Sequence, residues 1–155
     1  TMIDRNVPQI DTAEEFGIKV FFGDGLRMDL LRQAGAAEAS LLCFCIDGQQ
    51  LSGEFLASVR EAYPDAAIMV RAFDRRSVMA LAPPRYDFLV REVRESAIAM
   101  ARAALDKVEI TETEIDDLED RFRVNDRQRL SDQVAQNDLH AGDDRIIRAG
   151  WQATN

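Results

Sequence analysis

Short apolar, β-favouring runs that alternate with helical patterns predict an α/β fold on an open parallel sheet, followed by a helical C-terminal arm. Three observations carry this. Residues 18–47 read as strand, tight turn, helix, loop and strand; the alternation continues unbroken to about Val90; beyond Arg91 every apolar pattern has helical spacing. A chain of 155 residues is one domain, or one domain plus an appendage, long enough for a real core.

Taken in order, Thr1-Met2-Ile3-Asp4 reads as the tail of a strand ending in an acid. Pro8 and Gly17 bracket a short helix containing Ile10, Ala13 and Phe16. Ile18, Val20, Phe21 and Phe22 form the next strand, which stops at Gly23-Asp24. Asp24 is placed to cap a helix whose buried stripe is Leu26, Leu30, Leu31 and Ala34, with Gly35 as its stop. Residues 41–46 are almost wholly apolar, the pattern of a strand covered on both faces. Two such strands joined through a helix predict a right-handed parallel unit. A helix over 48–63 should turn Leu51, Phe55, Leu56 and Val59 inward and end at Pro64. Residues 67–72 form another buried strand, Asp74 precedes a short helix through Val78, Met79 and Leu81, and Pro83-Pro84 end it. Residues 86–90 give the last strand.

In the second half, Ile98, Ala101, Leu105 and Val108 make one helical face. Thr111 and Glu114 have the spacing of a capping box, and the following face runs Ile115, Leu118, Phe122 and then Asn125. Past Asn125 the stripe slips to Leu130 and Val134. An arm this charged buries little alone, so it is expected to lie on the sheet or on a partner subunit. The tail, 141–155, offers Trp151 as its large anchor.

A net charge of −9 argues against general nucleic-acid binding, because phosphate backbones would be repelled. Lysine occurs only at Lys19 and Lys107; the other cations are arginines, suited to gripping planar anions. Cys43 and Cys45 share one face of one strand, poorly oriented for a disulfide, and read as reduced core residues. With His140 the single histidine, zinc spacing is absent. No signal peptide and no apolar run of membrane-spanning length is present.

Four predicted strands end at or just before an acid: Asp4, Asp24, Asp47 and Asp74. That edge of a doubly wound sheet is the crevice where nucleotides bind, and an acid there can hold ribose hydroxyls. Asp is equally at home as a helix cap, and Asp74 is read as one. The glycine-rich turn that cradles a pyrophosphate should precede the strand ending at Asp4. The expectation is therefore an incomplete Rossmann-like sheet, its first strand and Gly-rich loop missing, over 1–90, with a helical arm and tail over 91–155. The missing strand belongs between those ending at Asp4 and Asp47, which should either close on each other or leave a gap for other protein to fill.

The stretch FFGDGLRMDLLRQAGAAEASLLCFCID, together with IMVRAFDR, LVREVRESAIAMARAAL and the closing GWQ, resembles the cytoplasmic regulatory (RCK/KTN, TrkA-N-like) domain of Kef-type glutathione-gated potassium efflux antiporters, over nearly the whole chain. The resemblance implies a homodimer on the cytoplasmic face of the bacterial inner membrane, carried by a membrane transporter domain on the same parent chain and served by a flavodoxin-like ancillary oxidoreductase. It implies a nucleotide, AMP or NAD(H), held by Asp4, Arg5, Gly23, Asp24 and Asp47, binding weakly or not at all without the Gly-rich loop. It also implies glutathione as regulator, gripped by Arg91 and Asn125. A guanidinium suits that role because it binds carboxylates bidentately; the plainer alternative is a helix-side ion pair from Arg91 to Glu92 or Glu95. Asn125 is one position before the aligned site, which here is Asp126, and a buried Asn setting helix register is the other reading. Phe73 stands where the family commonly has a second arginine, and Pro83-Pro84-Arg85 where it has a glycine turn. No catalytic triad, metal cluster or general-base pair is visible, so no catalysis is expected. Two other classes stay open: a receiver-like signalling domain, which would need a lysine after its last strand, and a fragment of an NAD-dependent oxidoreductase, which would need the glycine loop and a proton donor.

Overall fold

A computed structural model describes residues 1–47 and 51–142. The expected helix start at Gly48 and the Trp151 anchor lie outside these residues. Five strands and six helices follow in order: β1 (Met2–Asp4), α1 (Val7–Glu15), β2 (Val20–Phe22), α2 (Met28–Gln33), β3 (Leu41–Phe44), α3 (Gly53–Ala62), β4 (Ala67–Ala72), α4 (Arg75–Met79), β5 (Phe88–Arg91), α5 (Glu92–Lys107) and α6 (Glu112–Gln136), with one 3-10 turn at Ala36–Glu38. Among the described residues no helix is long and apolar enough to cross a membrane.

All strand pairing is parallel, as the crossover helices require, but the strands form two sheets: β1-β2 and β3-β4-β5. Thus the predicted unit over 18–47 has its elements in the expected order, while its two strands sit in different sheets. Of the two arrangements expected for the strands ending near Asp4 and Asp47, they stand apart. The strands flank a cavity of about 680 Å³ lined by Ile3, Leu31, Leu42 and Phe44 among others.

The core lies on one face of the three-stranded sheet. Phe44, Ile68 and Val70 point there and meet Leu31, Leu56, Val59 and Leu81 from the helical side. The opposite parity, Leu41, Cys43, Met69 and Phe88, is exposed. This corrects two expectations. β3 is covered on one face only, and Cys43 and Cys45 are exposed free thiols rather than core residues. An apolar run does not say how many faces have a neighbour; only the layers decide that.

Local chemistry accounts for the element ends. Asp74 caps α4 by accepting from Ser77 N at 2.9 Å, as read from sequence, whereas Ser52, which the expected helix over 48–63 placed inside it, caps α3 by accepting from Phe55 N at 3.2 Å. The Thr111–Glu114 capping box opens α6. Asp24 does not cap α2: it accepts from Leu26 N at 3.0 Å within the turn, the helix begins later, and Arg27 is its N-cap. Leu26 therefore precedes the helix instead of contributing to its stripe. The start of β5 is clipped to β4 by Asp87, whose Oδ2 accepts from Ile68 N at 2.7 Å and Arg60 Nη2 at 2.6 Å.

Helix α6 packs on α5 and α4 through ion pairs such as Arg75–Asp126, Arg94–Asp126 and Arg123–Glu95. On α6 the buried residues are Ile115, Asp126 and Gln133, while Leu118 and Phe122 stay exposed. The stripe expected through Ile98, Ala101, Leu105 and Val108 buries Ile98 alone.

Candidate functional site

Two places carry concentrated chemistry. The first lies at the carboxyl ends of β1, β2 and β3, where a cavity of about 800 Å³ is lined by Asp4, Arg5, Gly23, Asp24 and Asp47. All five residues assigned to a nucleotide from sequence are therefore brought to one crevice. Asp4 accepts from Asn6 N at 2.8 Å, which orders the turn out of β1. Arg5 Nη1 stands 3.8 Å from Asp24. Gly23 donates its N–H to the Asp4 carbonyl at 2.9 Å, with φ +155°. A Cβ there would fall 2.6 Å from Leu30 Cδ2, so any side chain at this turn would force the Leu30 side chain to shift. Asp47 meets Arg71, which also donates to the Cys45 carbonyl at 3.0 Å and reaches Glu92 at 2.8 Å. Arg71, on β4, was not singled out from sequence.

The second place is built on Arg91, the last residue of β5. Arg91 pairs with Ala72 across the sheet, on the inward parity, and is only 4% exposed. Arg75 comes from the first turn of α4, and Arg94 lies one helical turn beyond Arg91 on α5. All three guanidinium groups converge on Asp126 of α6, itself 4% exposed. Arg75 is on Oδ1, Arg91 and Arg94 on Oδ2, the last at 3.0 Å. Arg75 Nη1 also donates to the fully buried Gln133 Oε1 at 2.8 Å. From Arg94 the network continues to Glu95, then Arg123 at 2.7 Å, Glu119 at 2.7 Å and Arg102 at 2.8 Å.

Burial works to raise the Asp126 pKa, but the hydrogen bonds from Arg91 and Arg94 outweigh it and hold the carboxyl below its usual value. For Arg75, burial lowers the pKa against the pull of Asp126, and crowding by Arg91, Arg129 and Arg94 lowers it further. Three guanidinium groups gathered on one carboxylate make the site locally cationic. Hydrogen bonding from Arg123, against the opposing effect of burial, lowers Glu95 to about 2.

Neither helix-side partner proposed for Arg91, Glu92 or Glu95, is its partner here. Asp126 is, and Asn125 is half-buried one position away. Sequence reading passed over Arg75, Arg94 and Gln133, and named Asp126 only as the aligned position beside Asn125. A signal was present in the spacing of Asp126 and Gln133, which are seven apart and so share one helical face.

Residues 1–91 match the TrkA-N domain model. The chain belongs to the TrkA-N family. This TrkA-N chain is 36% identical over 151 residues to a glutathione-regulated potassium-efflux system protein of Haemophilus influenzae, covering 97% of the chain and 24% of that protein. It is 34% identical over 141 residues to the glutathione-regulated potassium-efflux system protein KefC of Escherichia fergusonii, covering 90% and 23%. The chain thus spans about a quarter of the length of these relatives. Among solved structures, the Kef C-terminal domain of Shewanella denitrificans in its AMP-bound form superposes with a TM-score of 0.69 at 27% identity, over 87% of this chain and 97% of that one. The TrkA-N domain of the inner membrane protein ybaL of Escherichia coli superposes with a TM-score of 0.58 at 25% identity, over 65% and 75%. The TrkA-N assignment fixes a Rossmann-like, nucleotide-binding type of fold, and the relatives are regulated potassium-efflux proteins.

Proposed function

We propose that this chain is the ligand-sensing regulatory domain of a glutathione-regulated potassium/proton antiporter, working at the cytoplasmic face of the bacterial inner membrane as part of a longer transporter chain. A nucleotide, AMP or NAD(H), occupies the crevice at Asp4, Arg5, Gly23, Asp24 and Asp47, and glutathione is gripped at Arg91 with Asn125 alongside. The observation that carries the reading is the buried Arg91, set among further arginines where the arm docks. Arg71 supports it by lining the crevice while reaching Glu92, the neighbour of Arg91, so the two places share a sheet edge. The acids and Gly23 suit ribose and a closely approached base; the arginines suit the carboxylates of an anionic tripeptide. Exposed Val93 and Met100 on α5 and Leu118 and Phe122 on α6 supply an apolar surface for a second copy, in line with a homodimer. A flavodoxin-like oxidoreductase is a further partner of the assembled transporter. Gating follows only if each ligand binds one arrangement of the dimer better than the other.

The test is thermal unfolding with AMP, with glutathione and with both. Glutathione should raise the midpoint and AMP should raise it little or not at all, and Arg91→Ala should remove the glutathione shift while the far-ultraviolet spectrum persists. Full retention of the glutathione shift in Arg91→Ala would count against the assigned role.

A further inference from the structure

The arginine site already holds a carboxylate, and it belongs to the protein. Three guanidinium groups from α4, β5 and α5 point at Asp126, and both of its oxygens are engaged. A ligand carboxylate has the same shape and charge as the Asp side chain and would seek the same donors. Asp126 and Gln133 are the buried residues of the second half of α6, and Arg75 holds both. The docking of 123–136 therefore depends on this cluster far more than on apolar burial.

We propose that Asp126 is a resident carboxylate that occupies the arginine site, so that a carboxylate ligand binds by displacing it and thereby loosens the second half of α6. The inference deepens the proposed function and, for glutathione as the ligand, rests on it. Exchanging one carboxylate for another leaves the charge at the arginines unchanged. The balance is then set by the ligand's remaining contacts against the lost hold on α6. Asp126 thus sets both how tightly the ligand binds and what its arrival moves.

Glutarate, a plain dicarboxylate, and glutathione are the probes, applied to the protein and to Asp126→Asn, which keeps the shape and removes the charge. Half-maximal thermal stabilisation by glutarate should need about tenfold less ligand in D126N than in the parent, one decade of affinity. Equal or weaker binding by D126N overturns the proposal. Should D126N fail to fold, the double variant Arg75→Gln with Asp126→Asn restores the local charge sum and takes its place. Independently, hydrogen exchange over 123–136 in the parent should quicken at saturating glutarate; unchanged or slower exchange overturns the proposal. Glutathione binding equally to parent and D126N would sink this inference and leave the proposed function standing. Glutarate preferring D126N while glutathione binds neither would do the reverse.

Discussion

At the scale of single residues, a change of one position along a helix decides the character of the arginine site. Consecutive residues on α6 are turned by about 100°, so Asp126 faces Arg91 directly and its neighbour Asn125 stands to one side of that contact. The family resemblance picked out Arg91 at the end of a strand, but nothing local says which of Asn125 and Asp126 points inward, since the apolar stripe has already faded there. The pair is buried, and removing either partner exposes the other's charge to a poorly solvating interior. For Arg91→Ala, the test variant above, a stability loss of about 2 kcal/mol is expected, smaller than for a lone buried pair because Arg75 and Arg94 still neutralise Asp126. Tyr63 offers a cleaner case: it is buried, and among the described residues its hydroxyl has no hydrogen-bond partner. Tyr63→Phe removes a desolvated polar group without changing shape, so urea unfolding should show stability unchanged or raised by up to about 1 kcal/mol. A loss of more than that would mean the hydroxyl is satisfied.

Among elements, those with complete local signals matched their expected limits best. β4 spans 67–72 as read, and the Asp74 cap and the Thr111–Glu114 box are present as spaced. α2 and α5 departed, since α2 starts after a turn that Asp24 stabilises and α5 buries little of its predicted face. Propensity sets where a helix can form, whereas neighbours set what it buries. Because α6 has so little apolar anchorage, its capping box contributes unusually much to its persistence. Thr111→Ala should cost about 1 kcal/mol in urea unfolding, with faster hydrogen exchange concentrated in the first turns of α6. A uniform change across the whole chain would instead assign the effect to global stability. At Gly53, a Cβ would come 3.0 Å from the Ala82 carbonyl, a close approach that fixes how α3 starts against the turn after α4 and that no sequence pattern announces.

On the scale of the whole molecule, ion pairs join the sheet to the arm, and this predicts a particular acid sensitivity. Glu95 falls from its ordinary 4.5 to about 2, and Asp126, Asp74 and Asp87 are also lowered. Carboxyls depressed in the folded state contribute stability that is fully present above their unfolded values and lost as pH falls through their folded ones. Unfolding midpoints in urea should therefore decline from about pH 4.5 toward 2, and Glu95→Gln should flatten that decline. A variant profile parallel to the parent's would remove Glu95 from the cause. The sequence by itself determined the alternation of strand and helix, the parallel sense of strand pairing, the Asp74 and Thr111–Glu114 caps, and the family, because each is written in local spacing or in extended likeness; that the strands near Asp4 and Asp47 stand apart rather than close on each other was left to the structure. Which face of β3 lacks a cover, the exposure of Cys43 and Cys45, and the meeting of Arg75, Arg91 and Arg94 on Asp126 were decided only by the tertiary structure. Those features depend on which elements become neighbours, and residues 51 positions apart, such as Arg75 and Asp126, leave no trace of their contact in either local pattern.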